Sequence, residues 1–409
     1  MTLSLAKNKI KILLLEGIHN DAKEYFEDHG YSQVELVKIA LEHNELLEKI
    51  KGVHMVGIRS RTQLVKEVFE ADDKLMAIGT YCIGTNQVDL ESAEMNGVPV
   101  FNAPFSNTRS VAEMVVAEAV MLMRGISEKN VKAHKGEWQK SAVNSNEVRG
   151  KRIGIIGYGH IGTQVGVLAE AFGMEVFYYD TIDKLFMGNA KSVASLEALL
   201  SSVDVATLHV PGTELTENMI GEKEIAMMKE GSYLINASRG NVVDISALAK
   251  ALREKRLFGA AIDVHPVEPK SKEDEFVSEL RSMDNVILTP HIGGSTLEAQ
   301  RNIAREVSDK LIKYSDIGST VGATNFPEVA LPQQIGKKRF LHIHANQPGV
   351  MRGINKEFSK RKLNIAGQHL MTDNNIGYVV FDIDDDNIDT ELINDLKNIE
   401  GTIRVRMLY

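Results

Sequence analysis

KRIGIIGYGHIGTQVGVLAEAFGMEVFYYD (151–180) is the stretch of sequence that decides the fold. An apolar strand, RIGIIG, leads into the glycine triplet Gly157-x-Gly159-x-x-Gly162, an amphipathic helix follows, and a second apolar strand ends at Asp180. The first glycine permits a tight turn, the second lets a pyrophosphate approach the backbone, and the third allows the helix to pack closely on the strand. This order of elements predicts a Rossmann unit that binds a dinucleotide.

The helix that follows the glycine turn predicts where the phosphates would bind. Its N-terminus offers unpaired N–H groups and a partial positive charge, so we expect His160 and Ile161 to contribute beside the glycines. Asp180 lies 18 residues beyond Gly162, where a carboxylate can accept hydrogen bonds from the adenosine ribose and would repel a 2′-phosphate. NAD is therefore predicted rather than NADP. A glycine-rich turn without a nucleotide is the open alternative.

The rest of the chain shows which domains surround this unit. Residues 10–104 alternate apolar runs with amphipathic segments, and a second alternating set covers 151–294, which predicts parallel sheets covered on both faces. The last stretch of about 70 residues is patterned strand, helix, strand, strand, helix, strand. The predicted fold class is therefore α/β, with two doubly wound parallel-sheet domains (Rossmann- or flavodoxin-like) and a C-terminal ferredoxin-like βαββαβ domain.

Composition and charge narrow the class of protein. The 409 residues carry a net charge of −9 without a long basic run, so nucleic-acid and membrane partners are not expected. The most apolar stretch, Val111–Met123, is too short to span a bilayer. The N-terminal apolar stretch is interpreted as a core strand and not as a signal peptide. The only cysteine is Cys82, which we expect to be a buried, inert thiol. We therefore predict a cytoplasmic protein without a metal site.

Polar residues follow the predicted strands of the second alternating set, at the edge where ligands bind in doubly wound sheets. They are His209, Ser238, Arg239, Asp263, Glu268 and His291. Oxidation of a 2-hydroxy acid needs a base, a cation for the carboxylate and a group that tunes the base. His291 suits the first task, Arg239 the second and Glu268 the third. Each of them could instead be an ordinary loop residue.

Three motifs carry a resemblance to a known family: NASRGNVVD (236–244), AAIDVHPVEP (260–269) and LTPHIGGST (288–296). They resemble the signatures of the D-2-hydroxyacid dehydrogenases, which implies that Arg239, Glu268 and His291 are the catalytic set. The chain departs from the family pattern at His265, where an aromatic residue is usual, and we expect an effect on packing. Further cofactor contacts are expected from His209, Ala237, Ser238, Arg239, Asp263, His291, Ile292, Gly293 and Gly294.

GIRSRT (57–62), GTNQVDL (84–90) and FNAPFSNTRSVAE (101–113) resemble the branch of this family that oxidises D-3-phosphoglycerate. The resemblance implies oxidation at C2 to 3-phosphohydroxypyruvate with NAD, the first step of L-serine biosynthesis, and reduction of 2-oxoglutarate to 2-hydroxyglutarate as a further activity. The residues expected to hold the phosphate and carboxylate of the substrate are Arg59, Ser60, Arg61, Asn107 and Lys140.

The resemblance also implies how the domains are cut. The substrate-binding domain is discontinuous and consists of 1–104 and 295–318, and the NAD-binding Rossmann domain is 105–294. Residues 319–336 have little periodicity and are predicted to be a linker. Residues 337–409 would be a regulatory ACT domain.

An ACT domain in this branch implies allosteric inhibition by L-serine bound between two subunits, and therefore a homo-oligomer, expected to be a tetramer. By position the serine contacts are His344, Asn346 and Asn364, whose amide and imidazole groups suit a zwitterion. The family has a basic residue where this chain has Gln347. The alternative is a ferredoxin-like module used only for assembly.

Two other functions stay open. The chain could be a dehydrogenase for another 2-hydroxy acid, such as 2-hydroxyglutarate, which substrate competition would reveal. It could also be a nucleotide-binding regulator that keeps the fold without turnover. The ACT-like tail and the GIRSRT segment weigh against the regulator.

Overall fold

The computed structural model describes residues 5–71, 73–269, 273–332, 338–384, 388 and 390–408. The chain forms two compact units. The first unit is Met1–Ser106 with Gln300–Tyr409, and the second unit is Asn107–Ala299. No helix within the described ranges is long and apolar enough to cross a membrane.

The first unit begins with a five-stranded parallel sheet in the order β2-β1-β3-β4-β5. Its elements in chain order are β1 (Lys11–Leu14), α1 (Asn20–Asp28), β2 (Gln33–Leu36), α2 (His43–Lys49), β3 (Met55–Ile58), α3 (Lys66–Ala71), β4 (Ala77–Thr80), α4 (Leu90–Met95) and β5 (Val100–Phe101). This strand order is the flavodoxin-like one. Every residue of β3 and β4 is buried, as expected for central strands covered on both faces.

The second unit is built on a seven-stranded parallel sheet in the order β12-β11-β10-β9-β6-β7-β8. Its elements are α5 (Thr108–Arg124), α6 (Ile126–His134), β6 (Arg152–Ile156), α7 (His160–Ala171), β7 (Glu175–Tyr179), β8 (Lys191–Ser192), α8 (Leu196–Ser202), β9 (Val205–Leu208), α9 (Glu222–Met227), β10 (Ser232–Asn236), α10 (Ile245–Arg253), β11 (Leu257–Ile262) and β12 (Val286–Leu288). The order reverses between β6 and β9, which is the topological switch point of a Rossmann fold.

The chain then returns to the first unit through α11 (Leu297–Ile317). Val307 and Leu311 of this helix are buried against β4, where a Cβ at Gly79 would lie 2.6 Å from Val307. Only glycine lets α11 pack this closely on the sheet. A hydrogen bond of 2.9 Å between Ser308 and Tyr81, the residue after β4, adds a polar contact to this packing.

The C-terminal part of the first unit has the ferredoxin-like order. Its elements are β13 (Lys338–Ala345), α12 (Val350–Lys360), β14 (Ile365–Thr372), β15 (Ile376–Ile383), α13 (Thr390–Lys397) and β16 (Thr402–Leu408). They form an antiparallel sheet in the order β14-β15-β13-β16. Phe340, Phe358 and Phe381 pack together between this sheet and its helices. With the two parallel sheets, this confirms the predicted fold class.

The segment predicted as a linker is only partly described, to residue 332, and that part has neither helix nor strand. It is nevertheless packed, because Thr320, Phe326 and Val329 are buried. The Thr320 hydroxyl donates to the Pro327 carbonyl over 2.7 Å and accepts from the Val329 N–H over 2.8 Å. These hydrogen bonds satisfy a buried backbone that has no regular pattern.

A buried ion pair connects the C-terminal sheet to the segment before it. Arg339 and Asp382 are 3% and 1% exposed, and two parallel hydrogen bonds of 2.7 and 2.9 Å join the guanidinium to the carboxylate. The third nitrogen of Arg339 donates to the carbonyls of Ile317 and Pro332 over 2.9 and 3.1 Å. Each of the three guanidinium nitrogens therefore has an acceptor, as a buried charge requires.

Candidate active site

The parallel strands of the second unit bring most of the predicted site residues to one edge. Gly157 follows β6, His209 follows β9, Arg239 lies beyond β10, Asp263 follows β11 and His291 lies beyond β12. Because parallel strands end at the same side of a sheet, these residues share the edge at which ligands of this fold bind.

His291 and Glu268 form the central contact of this edge. His291 Nδ1 lies 3.0 Å from each carboxylate oxygen of Glu268, and the two side chains are 52% and 39% exposed. A carboxylate can only accept, so Nδ1 carries the proton and Nε2 is the nitrogen left for a reacting group. The geometry is that of a general acid–base held in one tautomer.

Asp263 holds the loop that carries His291. Its carboxylate accepts from the Thr289 hydroxyl over 2.6 Å and from the N–H groups of Ile292 and Gly293 over 2.8 and 2.9 Å. Its carbonyl accepts from the His291 N–H over 2.8 Å. Asp263 is 2% exposed, so this aspartate, predicted as a cofactor contact, is in a position to fix the His291 loop.

Arg239 lies on a turn that is shaped by a buried asparagine. The side-chain oxygen Oδ1 of Asn236 accepts from the N–H and hydroxyl of Ser238, and its side-chain Nδ2 donates to the Arg239 carbonyl over 3.0 Å. A Cβ at Gly240 would lie 2.1 Å from the His265 carbonyl. The turn with Arg239 therefore touches the loop that leads to Glu268, and the three predicted catalytic residues are on neighbouring loops.

His265 supports the same loops. Its Nε2 donates to the Thr289 carbonyl over 3.0 Å, and its ring packs edge-on against Phe276 with centroids 4.5 Å apart. The residue that departs from the family pattern thus has a packing contact and a hydrogen bond of its own.

The glycine turn has the close approaches that a dinucleotide site needs. A Cβ at Gly157, whose φ is +91°, would lie 2.5 Å from the His209 carbonyl, and a Cβ at Gly162 would lie 2.3 Å from the Gly157 carbonyl. A Cβ at Gly159, the N-cap of α7, would meet nothing within 4 Å, so this face is open to a ligand. Asp180 accepts from the Tyr158 N–H over 2.8 Å and ties the turn to the end of β7.

After the open glycine turn, His209 is the second feature of this edge that indicates a bound ligand. Burial lowers the pKa of His209 to about 3, so the imidazole is neutral. Its Nε2 lies 3.0 Å from the Thr207 hydroxyl, whereas its buried Nδ1 has no hydrogen-bond partner within the described residues. An open glycine turn and an unpaired nitrogen beside it fit NAD.

Glu118, on α5, was not predicted and has no evident partner. Both carboxylate oxygens are buried without a hydrogen bond to any described residue. Burial, together with a smaller effect of the charge of Asp263, raises the pKa of the Glu118 carboxyl from 4.5 to about 8. The protonated, neutral form is therefore the one that suits the folded protein near neutral pH.

Glu118→Gln is expected to change how stability depends on pH. A carboxyl group whose pKa is higher in the folded protein stabilises the fold by binding a proton. This contribution to the free energy of unfolding is complete below 4.5, the pKa in the unfolded chain, and is lost as pH rises through about 8, the pKa in the folded protein. The wild type should lose about 4 kcal/mol from this group between about pH 5 and about pH 9, and the variant should not. Urea unfolding across this range measures it. Glu113→Gln, on the exposed face of α5, is the control, and parallel curves for wild type and Glu118→Gln would contradict the prediction.

In the first unit, the predicted phosphate residues lie on a loop held by a carboxylate that the sequence analysis missed. Glu16 accepts from the N–H groups of Arg59 and Thr62 over 3.0 and 2.9 Å and from that of Arg61 over 3.0 Å. Glu16 is 5% exposed, whereas Ser60 and Arg61 are exposed and Arg59 is half-buried. Glu16 lies two residues beyond the end of β1, so the strand-end rule used for the second unit would have found it.

The two remaining predicted substrate residues differ in their surroundings. A Cβ at Gly294 would lie 2.3 Å from the side-chain Nδ2 of Asn107, and the side-chain Oδ1 of Asn107 is buried without a partner among the described residues. Lys140 is exposed in the segment after α6, near Trp138, which is 88% exposed. Asn107 therefore belongs to the edge with Gly294, and Lys140 projects from the surface.

Two of the three predicted effector residues lie together. His344 Nδ1 donates to the Ala345 carbonyl over 2.8 Å, and its buried Nε2 has no partner in the described part of the chain. Asn346 donates to the Asp373 carbonyl over 2.6 Å. Asn364 is not near them, because it precedes β14 at the end of the sheet where Ile365 pairs with Ile383, while His344 pairs with Gly377. The two ends are roughly 20 Å apart at ~3.3 Å per residue.

Comparison with known proteins gives the family. Residues 116–293 match the family described as D-isomer specific 2-hydroxyacid dehydrogenase, NAD binding domain. Residues 340–404 match the AHAS small subunit-like ACT domain.

Similar proteins cover the whole chain. It is 56% identical to D-3-phosphoglycerate dehydrogenase of Haemophilus influenzae over 406 residues and 56% identical to that of Escherichia coli over 407 residues, with 99% of each chain covered in both cases. The crystal structure of D-lactate dehydrogenase from Aquifex aeolicus with NAD and lactic acid is similar with a TM-score of 0.65 at 27% identity, covering 78% of this chain and 100% of that one. The chain therefore belongs to the D-3-phosphoglycerate dehydrogenase family of D-isomer specific 2-hydroxyacid dehydrogenases and is an NAD-dependent oxidoreductase with a C-terminal ACT domain.

Proposed function

We propose that this chain oxidises D-3-phosphoglycerate to 3-phosphohydroxypyruvate with NAD in the cytoplasm, as the first step towards L-serine. The observation that carries the proposal is the His291–Glu268 contact on the edge that also holds Arg239 and the glycine turn. The relatives at 56% identity, which are named for this reaction, support the choice of substrate. Within the proposal, 105–294 binds NAD, 1–104 with 295–318 binds the substrate, and 337–409, after the linker at 319–336, is regulatory.

The proposed roles follow from the chemistry of each side chain. Arg239 holds the substrate carboxylate with two parallel hydrogen bonds. His291 Nε2 takes the proton of the C2 hydroxyl, and Glu268 stabilises the imidazolium that results. The glycine turn of Gly157, Gly159 and Gly162 would hold NAD, which would supply the hydride acceptor for C2. In the reverse direction His291 donates the proton, and 2-oxoglutarate, which has the same 2-oxo acid group, is a second substrate for reduction.

The phosphate distinguishes this substrate from simpler 2-hydroxy acids. We assign it to Arg59 and Arg61, whose backbone N–H groups are fixed by Glu16 while their side chains are at least partly exposed. Ser60 adds a hydroxyl to the same loop, Asn107 suits the substrate carboxylate, and Lys140 is a further candidate cation.

Arg59→Ala is expected to raise KM for phosphohydroxypyruvate by about 10- to 100-fold, because a charge-assisted hydrogen bond contributes about 1.5–3 kcal/mol. KM for 2-oxoglutarate should change little, since it carries no phosphate. Steady-state NADH oxidation with both substrates measures the split. Arg149→Ala, which removes an 80% exposed arginine, is the control. Equal losses on both substrates would remove the phosphate assignment.

We propose that L-serine binds between two ACT domains and inhibits the enzyme. The unpaired Nε2 of His344 can accept from the serine ammonium group, and Asn346 lies beside it. β14 is an edge strand with Leu370 and Met371 exposed by 39% and 50%. A two-fold pairing of two β14 strands would bring Asn364 of the partner subunit to the end of the sheet that holds His344.

A homotetramer needs a second contact surface beyond this pairing. We propose that the segment after α6 supplies it, since Trp138 and Val143 are 88% and 73% exposed there. Large apolar side chains at this exposure are typical of a protein–protein contact.

NADH oxidation with phosphohydroxypyruvate, measured with and without L-serine, tests the proposed function. We expect turnover that serine suppresses, and Asn364→Ala should keep the turnover and lose the suppression. Turnover that L-serine does not inhibit would support the proposed enzyme activity, but would indicate that the ACT domain serves only in assembly. Absence of turnover from folded protein, with activity on another 2-oxo acid, would overturn the substrate. Absence of turnover with every 2-oxo acid would favour the alternative of a nucleotide-binding regulator without catalysis.

A further inference from the structure

A cavity of about 840 Å³ lies in the first unit, away from every residue assigned above. It runs along β16, the second edge strand of the C-terminal sheet. Residues 5–10, the loop before β4 and the last turns of α13 form its other walls. This volume is within the range of small-molecule sites.

Five cationic side chains and two carboxylates line the cavity, so its net charge is positive. Lys397, Arg404 and Arg406 line it, and none of them forms an ion pair with a carboxylate of the described residues. One of the acidic side chains on the wall is already engaged, since Asp316 accepts from Lys7 over 2.6 Å and from Tyr31 over 2.7 Å. The other, Asp73, also acts on Arg404, but the cations outnumber the two carboxylates. An excess of cations in a concave site attracts anions.

The two arginines are held in place by neutral groups. They are two positions apart on β16 and so face the same side of the sheet. Arg404 donates to the carbonyls of Leu75 and Asp73 over 2.5 and 3.3 Å. The guanidinium of Arg406 lies 5.2 Å from the centroid of the Tyr314 ring. Such contacts orient a guanidinium without neutralising its charge.

Arg406 also has an unpaired donor. Its Nη1 is buried and has no acceptor among the described residues. A buried N–H without an acceptor costs about 1–3 kcal/mol, so its presence in a cationic cavity indicates a missing acceptor. Burial lowers the pKa of Arg404 and the neighbouring Arg406 lowers it further, which a bound anion would relieve.

We propose that this cavity binds a small organic phosphate that carries at least one further negative charge. Two guanidinium groups on one strand face provide bidentate donors for a phosphate, and Lys397 adds a point charge for the second group. The cavity walls come from β16 and from the loop before β4, so the ligand would join the ACT sheet to the parallel sheet of the first unit. The site is distinct from the residues proposed to bind L-serine, which lie at the end of β13 and directly before β14.

Calorimetric titration of the full-length chain with pyrophosphate tests this proposal, with saturating NADH present to cover the dinucleotide site and constant ionic strength. We expect saturable binding at one site per chain. Arg406→Gln should weaken it at least about tenfold, as expected for a lost charge-assisted hydrogen bond, and Arg149→Gln should not change it. Lys397→Gln, on an exposed part of α13, should weaken it at least about threefold and guards against a folding defect in the arginine variant.

Several outcomes would overturn the proposal. The first is that pyrophosphate shows no saturable binding. The second is that Arg406→Gln and Arg149→Gln weaken binding equally. The third is that binding survives Arg406→Gln and Lys397→Gln but is lost in Arg59→Ala. The last outcome would place the ligand on the substrate loop. Saturable binding of citrate with equal affinity would remove the phosphate from the proposal and leave a general anion site, which also overturns it as stated.

Discussion

His291→Asn is expected to lower kcat for phosphohydroxypyruvate reduction by about two to four orders of magnitude, the contribution of a well-placed general acid–base. The substitution removes Nε2, the nitrogen that the Glu268 contact leaves for the substrate. Asparagine is the right replacement because His291 has a φ of +55°, a left-handed conformation that asparagine tolerates. The backbone that Asp263 holds should therefore survive the change.

Stopped-flow and steady-state NADH oxidation measure the loss of turnover. NADH affinity, followed by fluorescence, is the control and should stay within about twofold, since the glycine turn is untouched. A kcat within about tenfold of the wild type would contradict the assignment of His291 as the acid–base.

Asp382→Asn is expected to lower the free energy of unfolding by about 3–5 kcal/mol, because it leaves Arg339 buried and uncompensated. The pair is almost fully buried, and asparagine keeps the shape of the side chain while removing its charge. Equilibrium unfolding in urea measures the change. Glu222→Gln breaks the exposed ion pair with Lys250 and should cost at most about 1 kcal/mol.

A double variant tests whether the penalty comes from the unpaired charge. Arg339→Met combined with Asp382→Leu should recover most of the stability lost in Asp382→Asn, since apolar side chains of similar volume can replace a buried pair. A loss below about 1 kcal/mol in Asp382→Asn would show that the guanidinium finds other acceptors.

The fold and the sheet edge that carries Arg239, Glu268 and His291 were predictable because their signals are local. The glycine turn, the strand before it and Asp180 lie within one short stretch of sequence. A residue that follows a strand of a parallel sheet can also be assigned to the ligand-binding edge from the sequence, because all the strands end at that edge. Glu16 obeys the same rule and could have been found. Glu118 sits inside an apolar helix and has no local signal, since its surroundings come from tertiary packing.

Contacts between distant parts of the chain explain what the sequence did not indicate. Arg339 and Asp382 are 43 residues apart, and nothing in the period of either strand pairs them. The segment at 319–332 lacks periodicity and is still buried, because its polar groups are satisfied by hydrogen bonds such as those of Thr320. The cationic cavity depends on how β16 meets the loop before β4, which no local pattern encodes.

The opposite placement of Asn364 and His344 on one sheet has a consequence for mixed assemblies. If each serine site takes Asn364 from one protomer and His344 from the other, a two-fold pair contains two sites. Combining a His344→Ala protomer with an Asn364→Ala protomer then gives one site with both defects and one intact site. Two variants that each fail to bind L-serine alone would, as a hybrid dimer, regain half of the wild-type capacity to bind L-serine.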